Sequence, residues 1–385
     1  MSIATRLAMA TLAVGAAAVP LAAEAGTITT LYTFKNETDG ATPFGPLIYH
    51  GGKLFGGTPV GNGTVYQVNA STGAFKLVYS FKGGPDGAQP FNGVTFHDGL
   101  LYGSTNFGGA NANCSNDQGC GTLFSINPAT GAKTTLYDFP VLLGPGPLTY
   151  VNGAMFASTY LGGANGDGSV ISWNTATGTF TTVYSFGGAD GVNPKSPLLY
   201  HNATLFGTTA YGGVAGYGTV FSLNPVSGTE TVIHSFSSRK DGRLPYFTNL
   251  VYHANSLLGD TENGGKGPCR YGCGVAFAIN LATGRERILS ENIDDGSWYY
   301  GATLVGGTLY ETLPAAGPGA FGEIVQVDLK SKQETVLYTF TGGADGGDPM
   351  APLVYQDGVF YGTTYAGGIL SNGHPGFGTV FKFVP

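Results

Sequence analysis

A short segment that recurs along the chain constrains its fold more than any other feature. It consists of an aliphatic residue, a tyrosine, a small or polar residue and a phenylalanine, and it begins at Leu31, Val78, Leu136, Val183, Ile233 and Leu337. The copy that begins at Ile233 has histidine in place of tyrosine, and a degenerate seventh copy lies at residues 289–292. Neighbouring copies are 47 to 58 residues apart. Such a period is typical of the blades of a β-propeller and exceeds that of most helical solenoids.

Each repeat contains four strand-like pieces in the same order, represented by residues 352–355, 205–209, 218–221 and 183–186. Gly, Asn, Asp and Pro occupy the joints, as hairpin connections require. First-type strands near Leu47, Val94, Leu148, Leu198, Leu250, Leu304 and Leu353 indicate seven units. We therefore predict an all-β, seven-bladed β-propeller with four-stranded blades, formed by residues 26–385 as a single domain; a β-solenoid is the alternative.

The ends of the chain support a closed architecture. Residues 27–34 resemble a fourth-type strand, and residues 378–383 resemble a third-type strand. The N-terminal strand is thus expected to complete the last blade, which removes exposed sheet edges.

A family resemblance follows from the repeated string, which is visible in residues 218–225, 181–186 and 190–194. It resembles the Gloeo/Verruco ("GloVer") tandem repeat of exported bacterial proteins, over essentially all of residues 26–385. The resemblance implies export or surface display and a propeller-like array, and it transfers no catalytic residues. Members often carry a C-terminal sorting segment, which this sequence lacks, so we expect release in soluble form.

The N-terminus has the pattern of a signal peptide. Arg6 precedes an apolar stretch at residues 7–19, and Ala23 and Ala25 flank Glu24 in a small-residue cleavage motif. We expect residues 1–25 to be removed, no membrane span to remain, and the product to be a secreted or periplasmic monomer. The net charge of −7 argues against a nucleic-acid partner, because phosphate binding needs a basic surface.

Four cysteines form two close pairs in glycine-rich loops, Cys114 with Cys120 and Cys269 with Cys273. In an oxidising compartment each pair is predicted to form a local disulfide. A four-thiolate zinc site is the alternative, which the long separation of the pairs and the signal peptide disfavour. No other metal or cofactor is predicted.

Repeated polar residues are interpreted as structural. Asp39, Asp86, Asp190, Asp241 and Asp345 each precede glycine and stand four residues before a proline. Aspartate, glycine and proline at these positions are typical of a turn, with a set of calcium ligands as the alternative. His50, His97, His201 and His253 follow the first strand in equivalent places, so they cannot converge on one metal and are assigned to turns or the surface.

Breaks in the repeat are the functional candidates. The Thr-Thr pair that ends the second strand becomes Asp260-Thr261 in the fifth blade and Glu311-Thr312 in the sixth. We interpret Asp260 and Glu311 as equivalent carboxylates near the central axis, which serve either in acid/base catalysis or as a solvated pair lining the mouth. His234 replaces the tyrosine of the repeat, as an aromatic substitute or as a titratable group.

The same sector contains the basic and extra aromatic residues, namely Arg239, Lys240, Arg243, Arg270, Trp298, Tyr299 and Tyr300. Aromatic faces stack on sugars, and guanidinium groups bind carboxylates. We therefore predict a binding protein for a neutral or acidic polysaccharide on the loop face of blades 5 and 6. The alternatives are a polysaccharide lyase or glycoside hydrolase, with Asp260 and Glu311 as the acid and base and His234 or Tyr300 assisting, and a structural envelope protein.

Overall fold

The computed structural model describes residues 26–111, 114, 119–246, 248–291, 301–370, 373–374 and 376–385. Within these residues, twenty-eight strands form seven four-stranded antiparallel sheets, and one 3-10 helix spans Gly84–Asp86. The strands are β1 (Thr27–Thr33), β2 (Ile48–His50), β3 (Lys53–Thr58), β4 (Thr64–Asn69), β5 (Phe75–Ser80), β6 (Thr95–His97), β7 (Leu100–Ser104), β8 (Thr122–Ile126), β9 (Lys133–Asp138), β10 (Thr149–Val151), β11 (Ala154–Thr159), β12 (Ser169–Asn174), β13 (Phe180–Ser185) and β14 (Leu199–His201).

The chain continues with β15 (Thr204–Thr209), β16 (Thr219–Leu223), β17 (Glu230–Ser235), β18 (Val251–His253), β19 (Ser256–Asp260), β20 (Val275–Asn280), β21 (Glu286–Glu291), β22 (Ala302–Val305), β23 (Thr308–Leu313), β24 (Glu323–Asp328), β25 (Glu334–Thr339), β26 (Val354–Gln356), β27 (Val359–Thr364) and β28 (Thr379–Val384). Blades 1 to 6 use consecutive groups of four strands from β2 to β25, and blade 7 has the order β1-β28-β27-β26.

The N-terminal strand closes the circle of blades. β1 pairs antiparallel with β28, from Thr27 opposite Val384 to Thr33 opposite Thr379. The predicted seven-bladed propeller and its shared last blade are confirmed. The first strand of each blade is the inner one, since first strands of neighbouring blades contact each other around the axis.

The repeated phenylalanine holds neighbouring blades together. At the end of each complete outer segment its ring is almost fully buried. In five of the six segments it packs edge-on against the aromatic residue of the third strand in the next blade, and Phe139 packs instead against Phe180. Phe186 and Phe221 have ring centroids 5.0 Å apart, and Phe236 and Phe277 are 5.3 Å apart. Burial of such rings is the main favourable contribution to folding.

The repeated aspartate caps its own turn. Asp39 accepts hydrogen bonds from the backbone N–H of Lys35 at 2.9 Å and from the hydroxyl of Tyr32 at 2.8 Å. Asp345 receives the equivalent bonds from Thr341 and Tyr338. These contacts support the turn interpretation, because the carboxylate oxygens already accept bonds within the loop.

The four histidines, predicted to lie in turns or at the surface, are instead the last residues of the inner strands, and only His50 is exposed. Three of them stack on an aromatic ring of the next blade: His50 on Phe96 at 3.8 Å, His97 on Tyr150 at 3.5 Å and His201 on Tyr252 at 3.7 Å between centroids. They act as flat packing groups between inner strands.

Both predicted cysteine pairs are confirmed. Cys114 and Cys120 are bonded with Cα atoms 5.3 Å apart, and Cys269 and Cys273 are bonded with Cα atoms 5.2 Å apart. Over the described part of the chain, no helix has the length and apolar character needed to cross a membrane.

Candidate functional site

The inner strands surround an axial cavity of about 260 Å³. Apolar side chains, including those of Leu47, Leu148 and Leu353, form much of its wall. Two amides on the wall tie neighbouring blades together: the side chain of Asn92 donates to the carbonyl of Pro145 at 2.5 Å, and that of Asn249 donates to the carbonyl of Ala302 at 3.1 Å. The cavity is therefore apolar and its wall is cross-linked around the axis.

Aromatic side chains gather where the loops enter the inner strands. Phe44 lies 6.2 Å from Phe91 and 6.4 Å from Tyr365 between ring centroids. Tyr160 lies 5.9 Å from Tyr246. We call the axial mouth the set formed by Phe44, Phe91, Tyr160, Lys195, Tyr246 and Tyr365. Its six residues come from six of the seven blades, so only closure of the propeller brings them together.

Lys195 supplies a positive charge to the axial mouth. Its side chain borders the cavity, and its ammonium lies 5.7 Å from the ring centroid of Tyr160 and 5.9 Å from that of Tyr246. Burial lowers the pKa of Lys195 below its ordinary value. A partly desolvated cation between aromatic faces attracts an anionic group more strongly than a cation in bulk water does.

A second group of basic and aromatic residues lies on the loops of blades 4 and 5. The guanidinium of Arg243 stacks 3.8 Å from the ring centroid of Tyr217 and lies 5.7 Å from that of Tyr271. Arg270 lies 5.1 Å from the ring of Tyr271, which is 49% exposed. The sequence prediction named Arg243 and Arg270, and the structure brings both to one tyrosine.

Other predicted ligand-binding residues differ in their surroundings. Arg239 donates to the backbone carbonyls of Gly265 at 3.1 Å and Gly267 at 3.2 Å, so its guanidinium supports the loop of the Cys269 disulfide. Lys240 is exposed on the neighbouring turn. The predicted residues Trp298, Tyr299 and Tyr300 lie outside the described residues.

The predicted equivalence of Asp260 and Glu311 is wrong by one residue. Asp260 pairs with Ala276, in the place where Thr208 pairs with Val220. Glu311 pairs with Val325, which corresponds to a glycine in the neighbouring blades, such as Gly259 opposite Phe277. Because alternate residues of a strand point to opposite faces, Asp260 points towards blade 6 and Glu311 points back towards blade 5.

The two carboxyl groups consequently meet inside the interface of blades 5 and 6. Asp260 is 2% exposed and Glu311 is 0% exposed, so they are not a solvated pair lining the mouth, and that alternative is wrong. The Thr248 hydroxyl and the Gly301 N–H donate to Asp260, whereas neither oxygen of Glu311 has a hydrogen-bond partner. A catalytic role for Asp260 and Glu311 stays a prediction.

Burial and mutual repulsion keep a proton on this pair. Burial raises the pKa of Asp260 to about 7. Burial, followed by the charge of Asp260, raises the pKa of Glu311 well above its ordinary value. Two close carboxyl groups in an apolar interface favour the protonated form, because the second negative charge has neither water nor a cation to stabilise it.

His234 belongs to a different part of the molecule. It lies on the outer strand of blade 4, and its Nδ1 donates to the carbonyl of Gly284 at 3.2 Å. Its Nε2 lies 3.8 Å from a carboxylate oxygen of Glu286 on blade 5. Its contacts are with these outer strands, whereas Asp260 and Glu311 lie on second strands and interact electrostatically. Of the four predicted catalytic residues, the three that are described therefore do not form one site.

The sequence analysis missed the axial mouth. Phe44, Phe91, Lys195 and Tyr246 each stand directly after the proline that follows an Asp-Gly turn, and this shared position is the signal that could have identified them.

Comparison with known proteins identifies the repeat family of the chain. Seven four-stranded blades around an axis define a β-propeller repeat protein. The Gloeobacter/Verrucomicrobia repeat matches residues 17–147 and 143–297, and the chain belongs to this family. Among solved structures, a chain in "Crystal structure of Nidogen/Laminin Complex" is similar with a TM-score of 0.45 and 12% identity, over 74% of this chain and 91% of that chain. No curated protein matches.

Proposed function

We propose that this protein is an exported binding propeller that holds an acidic glycan at the axial mouth. The observation that carries the proposal is the combination of Lys195 with the aromatic rings of Tyr160 and Tyr246 above an apolar cavity. Sugar rings stack on aromatic faces through their C–H groups, and a uronate carboxylate pairs with an ammonium. The cavity, slightly smaller than the usual ligand-site sizes of about 300–1,000 Å³, suits one sugar unit of a longer chain.

The predicted loop site of blades 5 and 6 extends this proposal. Arg243, Tyr217 and Tyr271 offer a flat cationic and aromatic surface, with Tyr217 on a loop within blade 4, Arg243 on the loop that enters blade 5 and Tyr271 on a loop within blade 5. Tyr246, in the loop that enters blade 5, belongs to the axial mouth. A polysaccharide with one unit at the mouth would then run outwards over these loops. The signal-peptide pattern and the two disulfides support an oxidising compartment outside the cytoplasm.

Replacement of Lys195 by methionine tests the mouth. We expect Lys195→Met to weaken binding of uronate-containing oligosaccharides by at least about tenfold, because the variant keeps the side-chain length and loses the cation. Isothermal titration against a panel of uronate and neutral oligosaccharides measures this loss. Lys53→Met is the matched control, since it removes an exposed lysine at the start of β3, outside the mouth and the loop site.

The same panel separates the alternatives. Binding that Lys240→Met abolishes and Lys195→Met spares would move the site to the outer loops and overturn the mouth assignment. Cleavage products from the panel would favour the lyase or hydrolase hypothesis. Absence of glycan binding by the wild-type chain would contradict the proposal and leave the structural envelope protein.

A further inference from the structure

The outer edges of neighbouring blades meet through one recurring set of residues. We call it an outer junction: the residue at the tyrosine position of an outer strand, the aspartate of the turn that follows, and the first residue of the next outer strand. Between blades 1 and 2, Tyr79 and Lys133 both contact Asp86, at 2.8 and 3.0 Å. Two other junctions stack aromatic rings, Tyr32 on Phe75 at 4.2 Å and Tyr137 on Phe180 at 4.4 Å between centroids. The first of these junctions thus neutralises its charges, and the other two pack aromatic rings together.

The junction between blades 4 and 5 differs in its chemistry. It consists of His234, Asp241 and Glu286, and one nitrogen or oxygen atom of each lies within 4.8 Å of the others. Across the described ranges, no other group of three His, Cys, Asp or Glu residues meets this distance. The side chain of Glu286 is 10% exposed and that of His234 is 15% exposed. Two carboxylates and an imidazole are thus gathered in a largely buried place.

The donor atoms are oriented towards one another. Nδ1 of His234 donates to the carbonyl of Gly284, which leaves the lone pair of Nε2 directed at Glu286. Neither Nε2 of His234 nor Oε1 of Glu286 has a hydrogen-bond partner, although both atoms are buried. Ser237 and Ser238 donate to Asp241 and fix its carboxylate. Such outer hydrogen bonds on an imidazole and a carboxylate are the usual support of metal ligands.

We propose that His234, Asp241 and Glu286 bind a divalent transition-metal ion of the Zn²⁺ class, with water completing the coordination. Bonds of about 2.0–2.2 Å require donors about 3.3 Å apart, so small side-chain rotations close the present spacing. The imidazole nitrogen favours Zn²⁺, Co²⁺ or Ni²⁺ over Ca²⁺, which prefers six or more oxygen donors. The ion would clamp the outer strands of blades 4 and 5.

The preceding junction provides an internal comparison. Between blades 3 and 4 the corresponding residues are Tyr184, Asp190 and Glu230, so the two carboxyl groups are kept and only the aromatic residue differs. The Tyr184 hydroxyl donates to Asp190 and also lies within hydrogen-bonding reach of Glu230. A neutral phenol therefore occupies the place of the metal-binding nitrogen. One His/Tyr difference separates the two junctions.

The test is metal binding by the full chain after treatment with a chelator. We expect one Zn²⁺ per chain by titration calorimetry, d–d absorption on addition of Co²⁺, and a raised melting temperature with Zn²⁺. His234→Tyr restores the residue of the other repeats, so it should fold normally while affinity falls more than about 100-fold, beyond the loss caused by an outer-shell change. Glu286→Gln should weaken binding through a second ligand.

A gain of function completes the design. Tyr184→His should create a second ion site with Asp190 and Glu230, raising the stoichiometry from one to two. The proposal is overturned if the wild-type chain binds no Zn²⁺ or Co²⁺, if it binds Ca²⁺ alone, or if His234→Tyr and Glu286→Gln bind as tightly as the wild type. It does not depend on glycan binding at the axial mouth, which these variants leave intact.

Discussion

Glu311→Gln is expected to raise the free energy of unfolding by about 2–4 kcal/mol at pH 8 and to change it little at pH 5. Asp260 and Glu311 are both buried, the charge of Asp260 acts on Glu311, and neither oxygen of Glu311 has a hydrogen-bond partner. An uncharged amide removes the cost of ionising the pair. Urea unfolding at a series of pH values from 5 to 8 measures the difference.

The direction of this pH dependence follows from the pKa values of the two carboxyl groups in the folded and unfolded states. Burial raises the folded-state pKa of Asp260 to about 7, against about 3.9 in the unfolded chain. The contribution of this group is therefore fully present below about pH 4 and is lost as the pH rises through the folded-state pKa. The pKa of Glu311 is raised by burial and by Asp260, so its contribution to stability is also lost as the pH rises. The wild type should lose stability from pH 5 to pH 8, and the variant should lose less.

Other buried acids also contribute to the pH dependence, so the informative quantity is the difference between variants. Asp260→Asn should act in the same direction as Glu311→Gln, and the two together should give less than the sum because either one removes the repulsion. Glu37→Gln, at an exposed carboxylate, is the control and should leave the profile unchanged. A Glu311→Gln variant that is equally shifted at pH 5 and pH 8 would contradict a titrating pair.

Val325→Phe is expected to destabilise the protein by about 3 kcal/mol or more, at the upper end of the cost of overpacking. In blades 2, 4 and 7 the equivalent aromatic residue lies opposite a glycine, and a Cβ on Gly103, Gly207 or Gly362 would lie 2.5 Å from that ring. Blade 6 has Glu311 in place of the glycine and Val325 in place of the ring. The smaller valine leaves the room that the glutamate side chain fills.

A double-mutant cycle tests this exchange. Glu311→Gly alone should leave a cavity, whereas Glu311→Gly combined with Val325→Phe recreates the pair found in the neighbouring blades and should recover most of the lost stability. Unfolding is measured at pH 5, where the carboxyl pair is protonated and charge effects are small. Additive free energies of unfolding would show that the two positions do not share space.

The repeat was sufficient to predict the fold because its signals are local. The tyrosine-containing outer segment, the Asp-Gly turn and the close cysteine pairs each have a meaning within about ten residues, and the structure confirms the strands, turns and disulfides built from them. The closing strand could be predicted as well, because the sequence from Thr27 to Thr33 matches the outer strands of complete blades.

The strand register of blade 6 and the convergence of distant loops at the axial mouth could not be predicted from local sequence signals. In the sequence, Glu311-Thr312 looks equivalent to Asp260-Thr261. In the structure, however, Leu313 rather than Thr312 lies opposite Glu323, the first residue of the third strand of blade 6. A one-residue offset exchanges the two faces of a strand. Likewise Phe44, Lys195 and Tyr246 look like ordinary loop residues until the circle of blades brings distant loops together.

The shared last blade also orders events in time. Among the described strands, β1 comes first in the chain and its partner β28 comes last. β1 must therefore stay without this partner until the other described strands have been made, and such a distant pairing is slow to form. Until the circle closes, β1 and β28 both leave unpaired sheet edges, which are prone to pair with other chains.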